Sequence, residues 1–213
     1  MAGPHLAAAS NGNHGNGNGK RARDVPTKDR PAPGAGPLGM AIFLVSLAVL
    51  FLASLVAYVV IRFQADVWPP PDLPPLPRSL ILSTALIFLG SVTIQAAVAF
   101  ARANRQWALR ASLLATFLLG CAFLVSQTVS WAHLVIARTT PTSHLFGWLF
   151  YFLTGLHAAH VVGGLIPLGV VTVNAFYGRY SPLRDTGVRF SAIYWHFLGA
   201  VWITLYGTIA LTV

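Results

Sequence analysis

The sequence contains no glutamate, and its acidic residues are all aspartates. Membrane pumps and proton relays usually place a carboxylate within the bilayer. None of the aspartates falls within a long apolar run, so the chain has no carboxylate relay of its own. The five positions are Asp24, Asp29, Asp66, Asp72 and Asp185.

Cysteine is nearly absent as well. The lone Cys121 cannot form an internal disulfide, and we interpret it as a small buried apolar residue. CxxC and CxxCH motifs are missing, which excludes an attached c-type haem and thiolate zinc sites. The chain also lacks a phosphate-binding loop, a dinucleotide fingerprint and a serine nucleophile motif. These absences predict a chain with no catalytic residues.

Apolar residues dominate what is present, at 55% of the chain against 9% charged residues. About 20 consecutive apolar residues are enough to cross a bilayer as a helix. We therefore predict an all-α, polytopic membrane domain over residues 38–213, with five transmembrane helices. It follows a low-complexity, basic tail over residues 1–37 that cannot bury a core. The predicted spans are 38–61, 79–101, 111–134, 144–172 and 190–213.

The basic residues are distributed unevenly between the two ends of these spans. Eleven of the fourteen Lys and Arg residues lie in the tail and in the loops after spans two and four; the other side has only Arg62, Arg78 and Arg138. Basic loops stay on the cytoplasmic side. We predict that the N-terminus is inside and the C-terminus outside. The net charge of +9 would suggest nucleic acid in a soluble chain, but here it reflects topology, and no nucleic-acid partner is expected.

Span four carries two features on one predicted helix. His157 and His160 are three residues apart and therefore share a face. Gly155, Ala159 and Gly163 recur at every fourth residue, a spacing that lets another helix approach closely in lipid. We predict that this small-residue strip packs against a neighbouring helix.

The intramembrane histidines could in principle hold haem or a metal ion. His160 would lie about 18 Å from the membrane surface at which span four ends, and His196 only about 9 Å. Two axial haem ligands should be nearly level, so this pairing would need strongly tilted helices. His157 and His160 alone have no evident third metal ligand. We therefore expect the histidines to make hydrogen bonds to a partner, to neighbouring helices or to lipid headgroups, with no metal site.

Span five carries an aromatic stripe at helical spacing, formed by Trp195, Trp202 and Tyr206. Near the inner membrane boundary, Tyr194, Trp195 and His196 match an interfacial aromatic belt. An anchor against the bilayer is therefore favoured over a binding site for these aromatic residues. Arginines just outside the same boundary, Arg179 and Arg189 among them, are either topology determinants or contacts for an anionic lipid phosphate.

Two segments resemble subunit III of the haem–copper oxidases, the cytochrome c oxidase family. FLTGLHAAHV, at 152–161, resembles the family's TG[FL]HxxHV segment, and YWHFLGAVW, at 194–202, resembles YWHFxDxVW. They occur in the family's order and approximate spacing. GMAIFLVS, at 39–46, resembles the start of the first helix in five-helix members. The resemblance covers residues 38–213.

The resemblance implies a non-catalytic subunit III of a bacterial cytochrome c oxidase, in the cytoplasmic membrane. Such a subunit has no cofactor of its own, since haem and copper belong to partner subunits. It packs on subunit I among the other oxidase subunits, holds structural phospholipids in a cleft, and supports proton uptake and the stability of the active site. The residues expected to contact lipid are His157, His160, Trp195 and His196, with Arg179 and Arg189 as headgroup candidates.

The chain departs from the family pattern at three positions. A glutamate common after the first-helix serine is matched by Leu47, the aspartate of YWHFxD by Gly199, and a glutamate seven residues before the YWH histidine by Arg189. We therefore expect no function that depends on those carboxylates. Lipid binding does not need them.

Three alternatives remain open. The chain could belong to a quinol oxidase or to a nitric oxide reductase complex of the same superfamily. It could instead be a haem-carrying membrane electron-transfer protein. A transporter would need a polar route across the membrane, for which the spans offer only Gln95, Gln127 and the histidines.

Overall fold

The computed structural model describes residues 35–69, 79–137, 139, 140, 142 and 145–213. Most of the predicted tail and most of the proline-rich connection after span one lie outside these residues. The described residues form five helices and no strand, which confirms the all-α prediction. All five are long and apolar enough to cross a membrane. They are α1 (Ala35–Gln64), α2 (Ser79–Arg102), α3 (Gln106–Ile136), α4 (Leu145–Phe176) and α5 (Thr186–Thr212).

The turn between α2 and α3 is shorter than the sequence suggested. Residues 106–110 were predicted as loop, but they form the first turn and a half of α3. Asn104, with a positive φ of 54°, reverses the chain, and the amide of Arg105 donates to the carbonyl of Phe100. Leu109 is fully buried and Arg110 donates through Nε to the carbonyl of Ala175. These interior contacts explain why residues 106–110 belong to the helix.

Helices α2 to α5 form a closed bundle in which α2 packs on α3 and α5, and α4 packs on α3 and α5. Pro167 lies within α4, which continues through it to Phe176. The bundle core consists of large apolar side chains from all four helices, among them Ile87, Ile94, Leu113, Phe123, Leu153, Leu198 and Trp202.

Helix α1 stands apart from this bundle. Within the described part of the chain, no Cα of α1 lies within 8 Å of a Cα on another helix. Large side chains make the contacts instead: Phe43 stacks on Tyr194 with ring centroids 5.9 Å apart. At the other end of α1, the Tyr58 hydroxyl is 2.6 Å from the Thr212 hydroxyl, and Trp68 Nε1 donates to the Thr212 carbonyl. The wide spacing leaves a cleft between α1 and the bundle.

Candidate functional site

The cleft lies between the first half of α1 and the facing sides of α4 and α5. Its main cavity has a volume of about 410 Å³. A second cavity of about 380 Å³ shares Met40 and Phe190 with it and reaches Arg189. We call the end of the bundle that carries Arg102, Arg110 and Arg189 the basic end. The main cavity is lined by Met40, Phe43, Leu47, Ala159, His160, Gly163, Gly164, Pro167, Phe190, Ser191 and Tyr194.

His160 is the histidine that lines this cleft. Its Nδ1 is 2.8 Å from the carbonyl oxygen of Leu156, which fixes the ring on its own helix. The ring meets Phe51 of α1 edge to face, with centroids 4.9 Å apart. The carbonyl of His160 accepts a hydrogen bond of 2.9 Å from the hydroxyl of Tyr194. His160 therefore ties together α1, α4 and α5 at the wall of the cleft.

His157, by contrast, is buried in the core and does not line the cleft. It is fully inaccessible to solvent and is surrounded by aromatic rings from three other helices. The centroid distances are 6.1 Å to Phe51, 5.6 Å to Phe123 and 5.3 Å to Trp202. Neither ring nitrogen has a hydrogen-bond partner within the described residues. The expectation that His157 shares the cleft with His160 does not match this position.

Trp195 is also in the core, where α2 and α3 each present a glycine to its indole ring. A Cβ built on Gly90 would lie 2.8 Å from Nε1 of Trp195, and one on Gly120 would lie 2.6 Å from Cη2. Trp195 and Trp202 are 2% and 1% exposed, and Trp202 donates to the Thr84 hydroxyl. The interpretation of these tryptophans as a bilayer anchor was therefore wrong.

His196 faces a third environment, on the outside of the bundle. Its Nε2 is 3.2 Å from Oε1 of Gln95, and both side chains are exposed. His157, His160 and His196 thus occupy separate places: the core, the cleft and an outer groove. Within the part of the chain that the structure describes, no three His, Cys, Asp or Glu side chains are grouped to hold a metal ion.

Two of the three residues of the small-residue strip, Ala159 and Gly163, line the cleft, and none of the three packs closely on another helix of this chain. A Cβ added to Gly163 would have no heavy atom within 4 Å, and the nearest to one on Gly155 would be Trp131 at 4.0 Å. Ala159 is exposed and, with Gly163, lines the main cavity. Packing of the strip on another subunit stays a prediction. The close contact between α4 and α5 is instead at Gly164, where an added Cβ would overlap the Tyr194 ring.

The two arginines proposed as headgroup contacts have different surroundings. Arg189 lines the cavity at the basic end. Arg179 lies in the loop after α4, where it donates to Oδ1 of Asn174 and sits over the Tyr177 ring, 5.8 Å from its centroid. In the same loop, burial raises the pKa of Tyr180 above its usual value. Of the six predicted lipid contacts, the structure brings only His160 and Arg189 to the cleft.

Comparison with known protein families shows to which family the chain belongs. The sequence profile described as "Cytochrome c oxidase subunit III" matches residues 34–211, which include all five helices except the last residue of α5. The chain belongs to the cytochrome c oxidase subunit III family. Membership implies a place in a multi-subunit oxidase, and the five helices make the chain a multi-pass membrane protein.

Bacterial members of the subunit III family match most of the chain. The probable cytochrome c oxidase subunit 3 of Nocardia farcinica is 32% identical over 178 residues, which cover 83% of this chain and 88% of that protein. Cytochrome c oxidase subunit 3 of Synechocystis sp. is 34% identical over 173 residues, covering 79% and 72%. The probable subunit 3 of Mycobacterium tuberculosis is 30% identical over 178 residues, covering 83% and 88%.

Two of the three departures from the subunit III pattern lie on the cleft. Leu47 lines the main cavity together with His160, and Arg189 lines the cavity at the basic end. The third, Gly199, is buried between α2 and α5, where an added Cβ would be 3.5 Å from the Ser91 hydroxyl. The cleft of this chain therefore has an apolar residue and a cation where the family pattern has two carboxylates.

Proposed function

We propose that this chain is the non-catalytic subunit III of a bacterial cytochrome c oxidase, packed on subunit I in the cytoplasmic membrane during aerobic respiration. In this role it holds structural phospholipid in the cleft, supports proton uptake by the catalytic subunit and stabilises the active site during turnover. Haem and copper are carried by partner subunits. The observation that carries the proposal is the cleft between α1 and the bundle.

The shape and lining of the cleft suit a phospholipid. Its walls are apolar along α1 and α4, so acyl chains can replace the contacts that α1 does not make with the bundle. At the basic end, Arg189 lines the adjoining cavity. Basic side chains near the membrane surface attract anionic headgroups by about 1 kcal/mol each. The acyl chains would lie beside Phe43 and Leu47, and the phosphate near Arg189.

This role does not require the carboxylates that the chain lacks. With Leu47 in the wall, the main cavity contains no acidic side chain, and its titratable groups are His160 and Tyr194. The chain then supports proton uptake through the bound lipid and through its packing on subunit I, and not through an acidic side chain of its own. The proposal therefore predicts that the retention of phospholipid in the cleft depends on the charge of its headgroup.

Lipid analysis of the purified oxidase tests the proposal. Arg189→Glu replaces the cation at the cleft, and Arg179→Glu is the matched control because Arg179 lies in the loop outside it. Loss of about 1 kcal/mol of headgroup attraction alone corresponds to roughly fivefold weaker retention, and repulsion by the new carboxylate weakens retention further. We expect mass spectrometry to show less anionic phospholipid in Arg189→Glu and an unchanged amount in Arg179→Glu.

Three results would contradict the proposal. The first is a purified complex without retained phospholipid, and the second is equal lipid loss in both variants. The third is purification of the chain without a haem–copper subunit. A Soret band from the isolated chain at stoichiometric haem would instead support the haem-carrying alternative.

A further inference from the structure

A polar pair lies on the outer surface of the bundle, away from the cleft. His196 of α5 and Gln95 of α2 are 3.2 Å apart and both exposed. They line a groove of about 580 Å³ along α2, together with Ser91, Val92 and Ala99. Apart from Ser91, the other residues that line the groove are apolar, so the pair is its main polar feature.

The pair lies within the hydrocarbon region by its position along both helices. Gln95 is seven residues before Arg102, and His196 is seven residues after Arg189. Seven residues correspond to about 10 Å along a helix. Arginines at helix ends mark the membrane surface, and the hydrocarbon core is about 30 Å thick. Two helices running in opposite directions thus place the pair at one depth.

One hydrogen bond does not satisfy these two side chains. Imidazole has a second ring nitrogen, and the glutamine amide has two N–H donors. Lipid tails offer neither donors nor acceptors, and polar side chains at this depth usually face protein or a water-filled cavity. Gln95 and His196 are also too short to extend about 10 Å to the headgroups. The pair therefore requires a covering group that can form hydrogen bonds.

The residues that line the groove are spaced as in a helix-packing surface. Ser91, Gln95 and Ala99 follow one another at every fourth residue and form its floor. The small residues Ser91 and Ala99, one on each side of the glutamine, allow a neighbouring backbone to approach closely. A helix packed in this groove would place its own side chains within hydrogen-bonding reach of the second imidazole nitrogen and the glutamine amide.

We propose that this groove is a docking site for a transmembrane helix of another oxidase subunit, which presents a polar side chain to the Gln95–His196 pair. The inference rests on the proposed function, because it takes the chain to be part of an assembled oxidase. It goes beyond that function by assigning the interface to the α2–α5 face and by stating the chemistry of the partner helix.

Photo-crosslinking in the native complex tests the site while keeping both polar residues. A photoreactive phenylalanine analogue replaces Val92, which is 53% exposed in the groove. The control position is Leu118 of α3, which is 57% exposed and eight residues from Arg110, so its depth is similar. We expect light-dependent crosslinking of position 92 to another integral subunit of the purified oxidase, identified by mass spectrometry. Position 118 should give only background.

A second measurement examines the polar pair itself. Gln95→Leu combined with His196→Phe removes the hydrogen-bonding groups and should weaken association with the oxidase about three- to twentyfold, the range for one lost interhelical hydrogen bond. Thermal unfolding of the isolated variant checks that it still folds.

The outcomes separate this inference from the proposed function. If the chain does not purify with an oxidase, the proposed function fails, and the inference fails with it. If it does purify but position 92 crosslinks to no protein, or only to a second copy of this chain, the inference alone is overturned. Unchanged association of the folded double variant would also overturn it.

Discussion

Adjacent glycines on α4 give a sharp test of how the cleft wall is built. A Cβ on Gly164 would lie 2.9 Å from Cδ1 of Tyr194 and closer still to Cε1, whereas a Cβ on Gly163 would have no heavy atom within 4 Å. The substitutions Gly164→Ala and Gly163→Ala therefore add the same atom to the same helix. They differ in what that atom meets.

The Tyr194 ring cannot move aside without losing contacts. Its hydroxyl donates to the His160 carbonyl at 2.9 Å, and its ring stacks on Phe43. Overpacking typically costs about 1–3 kcal/mol, and the lost hydrogen bond about 1 kcal/mol. Replacing glycine by alanine within a helix stabilises the helix by about 1 kcal/mol, which offsets part of this cost. We expect Gly164→Ala to lower the free energy of unfolding by about 1–3 kcal/mol.

Gly163→Ala should be neutral or stabilising by up to about 1 kcal/mol in the isolated chain, since it gains helix propensity without a clash. Thermal unfolding in detergent measures the difference, at about 2–4 °C per kcal/mol for a chain of this size. If Gly164→Ala unfolds at the same temperature as Gly163→Ala, the close packing of Tyr194 on α4 is refuted.

Two further predictions concern α1 and the cleft. Thr212→Ala removes the hydroxyl partner of Tyr58 and should lower the free energy of unfolding by about 1 kcal/mol, whereas Thr208→Ala should change it less because that hydroxyl bonds only within its own helix. Equal unfolding temperatures for the two variants would contradict the anchoring of α1 by Thr212. Ala159→Leu places a larger side chain in the cleft and on the small-residue strip, so we expect less bound phospholipid and weaker copurification with subunit I. Unchanged values for both measurements would show that neither a lipid nor a partner helix uses this surface.

The helices themselves were predictable because long apolar runs determine them. All five predicted spans correspond to helices, and the differences are at their ends. The largest is at the start of α3, where residues 106–110 were predicted as part of the loop after span two. Their helical conformation depends on tertiary partners, such as the Ala175 carbonyl that accepts from Arg110. A local sequence pattern contains no information on such a partner.

The inward faces of the helices were much less predictable. In a membrane, lipid tails are as apolar as a protein core, so no change in polarity marks the buried side of a helix. From the sequence, the spacing of Gly155, Ala159 and Gly163 predicts a packing surface. The close contacts are instead at Gly90, Gly120 and Gly164, where the aromatic side chains of α5 fit. Only the three-dimensional arrangement identifies which glycines face a ring.

The attachment of α1 has a consequence for the way the protein is made. The polar partner of Tyr58 is Thr212, 154 positions later in the chain. Thr212 leaves the ribosome only after α1 to α4 have been translated, so the hydrogen bond between Tyr58 and Thr212 forms late, after the whole of α5 has been made. During that interval the exposed apolar sides of α1 can be covered by lipid before the Tyr58–Thr212 contact forms.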